Sequence, residues 1–256
     1  MVDFRLQEGW RMEILGIDFG CTSIKFGLVT LDDEVAVTRF DQLPLGRELD
    51  LDSLARKVES ILDAFPTVDL AGMGLPTIVR PESVVDTDLP FDALWKRIHA
   101  RQQQAGRTIV ALNDADAAGT AEIFRPAASD LRKGVTVVLT LGTGIGTAVF
   151  HNSVLLPNTE LGVIQMHGVT AERYTAASAR TRENLSLAAW ADRLQEYLVE
   201  LEYMLSPDTI VLGGGISAEF EHFAPALHTL ARLLPAFYRN QAGVIGAAMT
   251  ARQSLW

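Results

Sequence analysis

The amino-acid sequence predicts an α/β fold whose two halves each open with a meander of strands. Three observations carry this. In GIDFGCTSIKFGLV, and again in LTLGTGIGTAVF, an apolar strand runs into a Gly- and Thr-rich turn and resumes as a second strand. Helix-length amphipathic runs follow each meander and alternate with further short apolar strands. The 256 residues suffice for one large domain or two lobes of ordinary size. The two meanders begin roughly 120 residues apart, the signature of a duplicated lobe and not of a short-period repeat.

In the first half a strand ends at Asp18, turns through Gly20 to Ser23, and continues past an LDDE turn into a third strand. A helix is predicted over 51–65, a strand over 68–75 and a helix over 91–104. The short strand RTIVALN then runs straight into the Ala-rich helix DADAAGTAEIF. In the second half a strand ends near Thr140, turns through Gly142 to Gly146, and turns again at HNS. A long amphipathic helix over 185–205 closes at Pro207, and DTIVLGGG follows as a strand. The pattern SAEFEHFAPALHTLARLL predicts a helix over 217–234 begun by a Ser217 cap. NQAGVIGAAMTARQ reads as a closing helix of small residues. A single doubly wound sheet fits less well, because both units open with hairpins.

Composition narrows the function classes. Apolar residues make up 48% and charged residues 21%, a globular balance. No apolar run reaches the roughly 18 residues of a membrane span. The opening MVDFRLQEGWRME mixes charges of both signs and does not read as a leader. Cys21 is the only cysteine, which excludes an intrachain disulfide framework and a cysteine-rich zinc site. Together these favour the cytoplasm. A formal charge of −10 without a basic stripe argues against nucleic-acid binding. A small anion is still compatible, because backbone amides bind phosphate inside an acidic protein.

Glycine turns between strands let the backbone approach phosphate closely, and two such turns in matching positions could hold one polyphosphate between them. Asp18, just before the first turn, suits a water-bridged Mg²⁺ or is simply a satisfied turn carboxylate. Lys25 faces either the phosphates or solvent. In VALNDADAAG a strand delivers Asn113 and Asp114 to a helix start, with Asp116 two residues on. A carboxylate there serves as a general base for a substrate hydroxyl, or as a plain N-cap. Gly213, Gly214 and Gly215 in LGGGIS follow a strand, where backbone can approach a nucleotide closely. The chain has neither a G-x-x-x-x-G-K-[ST] loop nor a spaced G-x-G-x-x-G, so nucleotide binding would need another architecture.

Taken together, these motifs resemble the ROK family of sugar kinases within the actin and hexokinase superfamily, and most nearly its bacterial polyphosphate/ATP glucokinase branch. GIDFGCTSIKFG resembles a first phosphate motif, LNDADAAG the catalytic-aspartate motif, and LTLGTGIGTAVFHNSVLLPNTELG a second phosphate motif leading into a sugar segment. PDTIVLGGGIS resembles the adenosine motif and NQAGVIGAAMTA the closing helix. The resemblance implies a two-lobed actin-like ATPase (ribonuclease H-like) fold, each lobe a mixed sheet flanked by helices, with the active cleft between them. The lobes would span 1–113 and 114–239, with 240–256 packing back on the first.

The resemblance also implies roles. Asp114 would deprotonate a sugar 6-hydroxyl, and Asn113 and Glu160 would hold the sugar. Asp18, with Thr22 nearby, would lie by Mg²⁺ and phosphate. Gly20, Lys25, Thr143 and Gly144 would line the phosphate cleft, and Gly213 to Gly215 the nucleotide side. The donor would be ATP or inorganic polyphosphate and the acceptor glucose or a related hexose. A homodimer through the second lobe, with no nucleic-acid or membrane partner, completes the expectation.

Some positions depart from the family pattern. Val163 stands where a sugar-binding His is usual, Cys21 where a second glycine is usual, and Thr77 where glycine follows Pro76. The loop DTDLPFDALW matches the family's sugar-side loop poorly, and the N-terminus is too short for a DNA-binding helix-turn-helix. Two readings therefore stand at this point: an active hexose kinase, or a non-catalytic relative that binds nucleotide or phosphate for sensing or scaffolding. A basic groove for polyphosphate would draw on Arg97, Arg101, Arg173, Arg180 and Arg182, whose alternative role is scattered solvated charge.

Overall fold

The computed structural model describes residues 12–32, 34–47, 49–81 and 83–255. The expectations placed on the opening 11 residues and on Trp256 lie outside the described residues. The first sheet is built from β1 (Glu13–Phe19), β2 (Ser23–Leu31), β3 (Val35–Pro44), β4 (Leu70–Leu75) and, beyond a short ribbon of β5 (Val79–Arg80) and β6 (Ser83–Val84), β7 (Thr108–Asn113). Its order is β3-β2-β1-β4-β7; the meander is antiparallel, and β4 and β7 run parallel to β1. Helices α1 (Leu51–Asp63) and α2 (Phe91–Gln104) cover one face, burying Leu54, Val58, Ile61, Leu94 and Ile98 against Ile17, Met73 and Leu75.

The second sheet repeats the plan with β8 (Val135–Leu141), β9 (Ile145–His151), β10 (Val154–Leu156) and, past the ribbon β11 (Gln165–Met166) and β12 (Val169–Thr170), β13 (Thr209–Gly213) and β14 (Arg232–Pro235). Its order is β10-β9-β8-β13-β14. Helix α3 (Asp114–Phe124) leads from β7 to β8, and α4 (Ala171–Thr175), α5 (Ala177–Arg182), α6 (Leu187–Leu205) and α7 (Phe220–Phe223) fall between β12 and β14. Trp190, Leu194 and Tyr197 of α6 pack on Val137, Leu139 and Ile210. The closing helix α8 (Ala242–Gln253) returns to the first sheet.

Helix α8 docks by backbone where the glycines of β1 and β4 carry no side chain to intervene. A Cβ added at Gly16 would lie 2.0 Å from the Val244 carbonyl oxygen, and one at Gly72 would lie 1.9 Å from that of Ala247. Helix α3 is held from both sides. At Gly246 of α8 an added Cβ would sit 1.6 Å from the Ala117 oxygen, and at Gly119 it would sit 2.5 Å from Ala148 Cβ on β9. The first turn of α3 is thereby fixed relative to both sheets.

One predicted element is corrected. The expected helix over 217–234 is instead a 3₁₀ turn at Gly215–Glu219, the one-turn α7, a second 3₁₀ turn at Ala224–Ala226, and the strand β14. Pro225 has no N–H to continue the helix. Parallel pairing of Arg232–Pro235 with the open side of β13 satisfies that edge instead. Ser217 does not cap a helix; its hydroxyl donates to the Gly214 carbonyl.

Candidate active site

The strand–helix junction at β7 and α3 organises the cleft. Asn113, not Asp114, is the N-cap: its side-chain oxygen accepts from the Ala115 and Asp116 amides at 2.9 and 3.1 Å. The capping alternative for Asp114 is therefore corrected, and its carboxylate is left for other work. The Asn113 amide group donates to the Thr77 carbonyl and, at 3.4 Å, to Glu160 Oε1. Asp114 Oδ1 accepts its neighbouring Ala115 amide at 2.9 Å. Burial raises the Asp114 carboxyl to about 7, the negative charges of Asp18 and Glu160 push the same way, and the Ala115 amide opposes them.

Glu160 arrives from the other lobe on a loop pinned at several points. Thr147 of β9 donates its hydroxyl to the Thr159 carbonyl, and its oxygen accepts the Leu161 amide. The Asn158 amide donates to buried Asp116, while the Asn158 side chain brackets both backbone groups of Val79 at 2.8 and 2.9 Å. This strap joins the Glu160 loop to the first lobe. The Glu160 carboxyl is raised by partial burial and then by Glu172. Val163, 55% exposed in the 3₁₀ turn Leu161–Val163, follows on the same segment.

Asp18 lies at the end of β1, opposite Lys25 in the β1–β2 register, and accepts from Lys25 Nζ at 3.1 Å. Lys25 thus faces the cleft carboxylate; the solvent alternative is corrected. The start of α8 closes over Asp18, since a Cβ at Gly243 would lie 2.5 Å from its Cγ. In the first turn Gly20 donates to the Ser23 carbonyl, while Thr22 is exposed and accepts from Leu45. In the second turn Thr143 is exposed and Gly144 half-buried. Gly214, at φ +81°, brings the Gly213–Gly215 turn against Leu141: an added Cβ would lie 2.2 Å from that carbonyl oxygen. The glycine run and the end of β8 that leads into the Gly142–Gly146 turn are therefore adjacent, with Gly215 exposed beyond them.

The sequence does not single out Glu172. It sits in the first turn of α4, where an added Cβ at Gly144 would meet its carboxylate at 2.6 Å. Its charge helps raise both Cys21 and Glu160, although burial is the larger cause for each. In sequence it looks like an ordinary first-turn acid behind a Thr170 cap, so nothing local marks it. The basic-groove expectation is corrected for Arg97 and Arg101. Both bridge α2 to acids of α1, Arg97 to Asp52 and Glu59 and Arg101 to Asp63. Arg180 pairs with Glu219 and Arg182 with Glu183, on the helix whose Ser178 amide donates to the Gly142 carbonyl.

The sequence profile of the ROK family matches residues 14–172, more than half of the chain. The chain belongs to the ROK family. Polyphosphate glucokinases of Mycobacterium tuberculosis (strain H37Rv) and Mycobacterium leprae are 34% and 35% identical over 91% of this chain, covering 89% and 73% of their own lengths. Among solved structures, the inorganic polyphosphate/ATP-glucomannokinase of Arthrobacter sp. strain KM superposes with a TM-score of 0.84 at 31% identity. That match covers 95% of this ROK chain and 99% of the other. The two-lobed actin-like fold expected of a ROK protein is the fold observed. Among the described residues no helix is long and apolar enough to cross a membrane.

Proposed function

We propose that this ROK protein is a sugar kinase that transfers the terminal phosphoryl group of ATP or inorganic polyphosphate to the 6-hydroxyl of glucose or a related hexose. The carrying observation is Asp114: a carboxylate at a rigidly held helix start, tuned to about 7, between Asp18 on the phosphate side and Glu160 on the sugar side. Similarity to polyphosphate glucokinases supports the reaction class and both donors. As the hydroxyl oxygen attacks phosphorus, its proton passes to Asp114 and the bond to the leaving phosphate oxygen breaks. Glu160 accepts from ring hydroxyls and Asn113 donates to one. Lys25 and the turns at Gly20, Thr22, Thr143 and Gly144 take the phosphates, and Gly213 to Gly215 the nucleotide side. Glu172 joins them as a further hydroxyl acceptor.

Asp18 fits Mg²⁺ held through water, not in a protein cage, since no three metal-binding side chains cluster among the described residues. When bound, the ion would offset charge on the donor phosphates. The division into lobes at Asn113 and Asp114 belongs to the same reading, as does a homodimer through the second lobe. A single cysteine and an acidic surface suit the reducing cytoplasm.

A coupled assay of a sugar panel against ATP and polyphosphate tests the proposal. Turnover of a hexose supports it; no turnover of any sugar, with ATP binding retained, defeats it in favour of a sensing or scaffolding role. The base must be ionised to act, so kcat/KM should rise about tenfold per pH unit below about 7 and flatten above. A flat profile from pH 5 to 8 would remove Asp114 from the role.

Val163→His is expected to lower the glucose KM several-fold. Position 163 is 55% exposed, so an imidazole enters without overpacking. One recovered hydrogen bond contributes about 0.5–1.5 kcal/mol. An unchanged or higher KM would mean that the site is shaped for another hexose.

A further inference from the structure

A second cavity, of about 810 Å³, lies along the free edge of β7, outside the carboxylate cleft. Both lobes wall it. Trp95 of α2, Phe124 of α3, Phe150 of β9 and Leu155 of β10 line it. Its volume falls within the range of small-molecule pockets. Its wall also contains Asp116, only 2% exposed, which the proposed chemistry does not use. Asp116 Oδ2 accepts the Asn158 amide, but Oδ1 is buried without any hydrogen-bond partner. An orphaned carboxylate oxygen at such a depth is costly unless something supplies a donor.

We propose that this cavity is a binding site for a small organic cation, an ammonium group carried on an aromatic or branched apolar body. The ammonium meets Asp116 Oδ1, giving the orphaned oxygen a charged donor. The apolar body lies against the partly buried Trp95 and Phe124, which line the cavity together with buried Phe150. A neutral apolar compound of the same shape would gain the area and leave the oxygen unpaired. Asn113 and Asn158 also border the cavity, and both hold the Glu160 loop. Occupancy therefore changes the sugar KM, a consequence that rests on the kinase reading; the binding itself does not.

Calorimetry of the full chain, with no sugar or donor present, tests the site with 2-phenylethylamine and 2-phenylethanol as probes. The amine should bind one per chain and at least about tenfold more tightly than the alcohol. Asp116→Asn, which still offers an oxygen to the Asn158 amide, should weaken the amine about tenfold or more and leave the alcohol unchanged. Leu155→Trp, which fills the cavity, should abolish binding of both, with far-UV circular dichroism confirming the fold. Equal binding of amine and alcohol to the unaltered protein overturns the proposal, as does amine binding that survives both substitutions or is absent altogether. Loss of kinase activity without loss of amine binding would count against the proposed function alone.

Discussion

Asp114→Asn is expected to lower hexose phosphorylation by a factor of about 10²–10⁴, with little change in the sugar KM. The amide keeps the shape of the side chain and can still accept from Ala115, but it cannot take the hydroxyl proton. Stability should move the other way. The folded-state carboxyl sits near 7 against an ordinary value of 3.8, so the folded protein holds this proton more tightly than the unfolded chain does. Stability contributed by Asp114 therefore falls as pH rises between those values, and the full penalty applies above about 7. Neutral asparagine lacks that penalty. Urea denaturation should show the variant more resistant than the parent at pH 8, with the gap closing toward pH 4. Retained turnover would remove Asp114 as the base; an unchanged urea midpoint at pH 8 would remove the burial that tunes it.

Gly246→Ala is expected to destabilise the fold by about 3 kcal/mol or more, the upper range for overpacking a closely fitted core. The added methyl carbon would lie 1.6 Å from the Ala117 carbonyl oxygen, a backbone atom that no rotamer change can move aside. Helices α3 and α8 must separate, and α3 carries Asp114 at its first turn. Activity should therefore fall even where the variant stays folded. Urea midpoints measure the first effect and the coupled assay the second. A loss under about 0.5 kcal/mol, the scatter of ordinary surface substitutions, would show that the two helices do not cross so closely.

Much of the site was legible because its signals are local. Asn113 and Asp114 announce themselves where a β-period changes to a run of alanines, and the two Gly/Thr turns stand at the same place in two like meanders. Helix α2 spans the very residues that its periodicity indicates. What failed depends on contacts distant in sequence. The 217–234 stretch carries a helical pattern, yet Pro225 and the unpaired side of β13 decide its structure. Glu172 enters the cleft only because α4 folds against Gly144, and Asp116, Asn158 and Val79 meet across two lobes. The identity of the helix cap was also hidden: Asn113 and Asp114 are both good caps, and only the strand's final direction selects Asn113.

The docking of α8 on Gly16 and Gly72 has a consequence for biosynthesis. The ribosome completes β1, β4 and the whole second lobe before α8 emerges. Until then one face of the first sheet lacks the helix that covers Ile14, Val29 and Leu70. The nascent first half must wait with apolar surface uncovered, so a chain stalled before Ala242 is a natural client for chaperones. Quality control and catalysis then hinge on the same late event, because the helix that seals the first sheet also closes over Asp18.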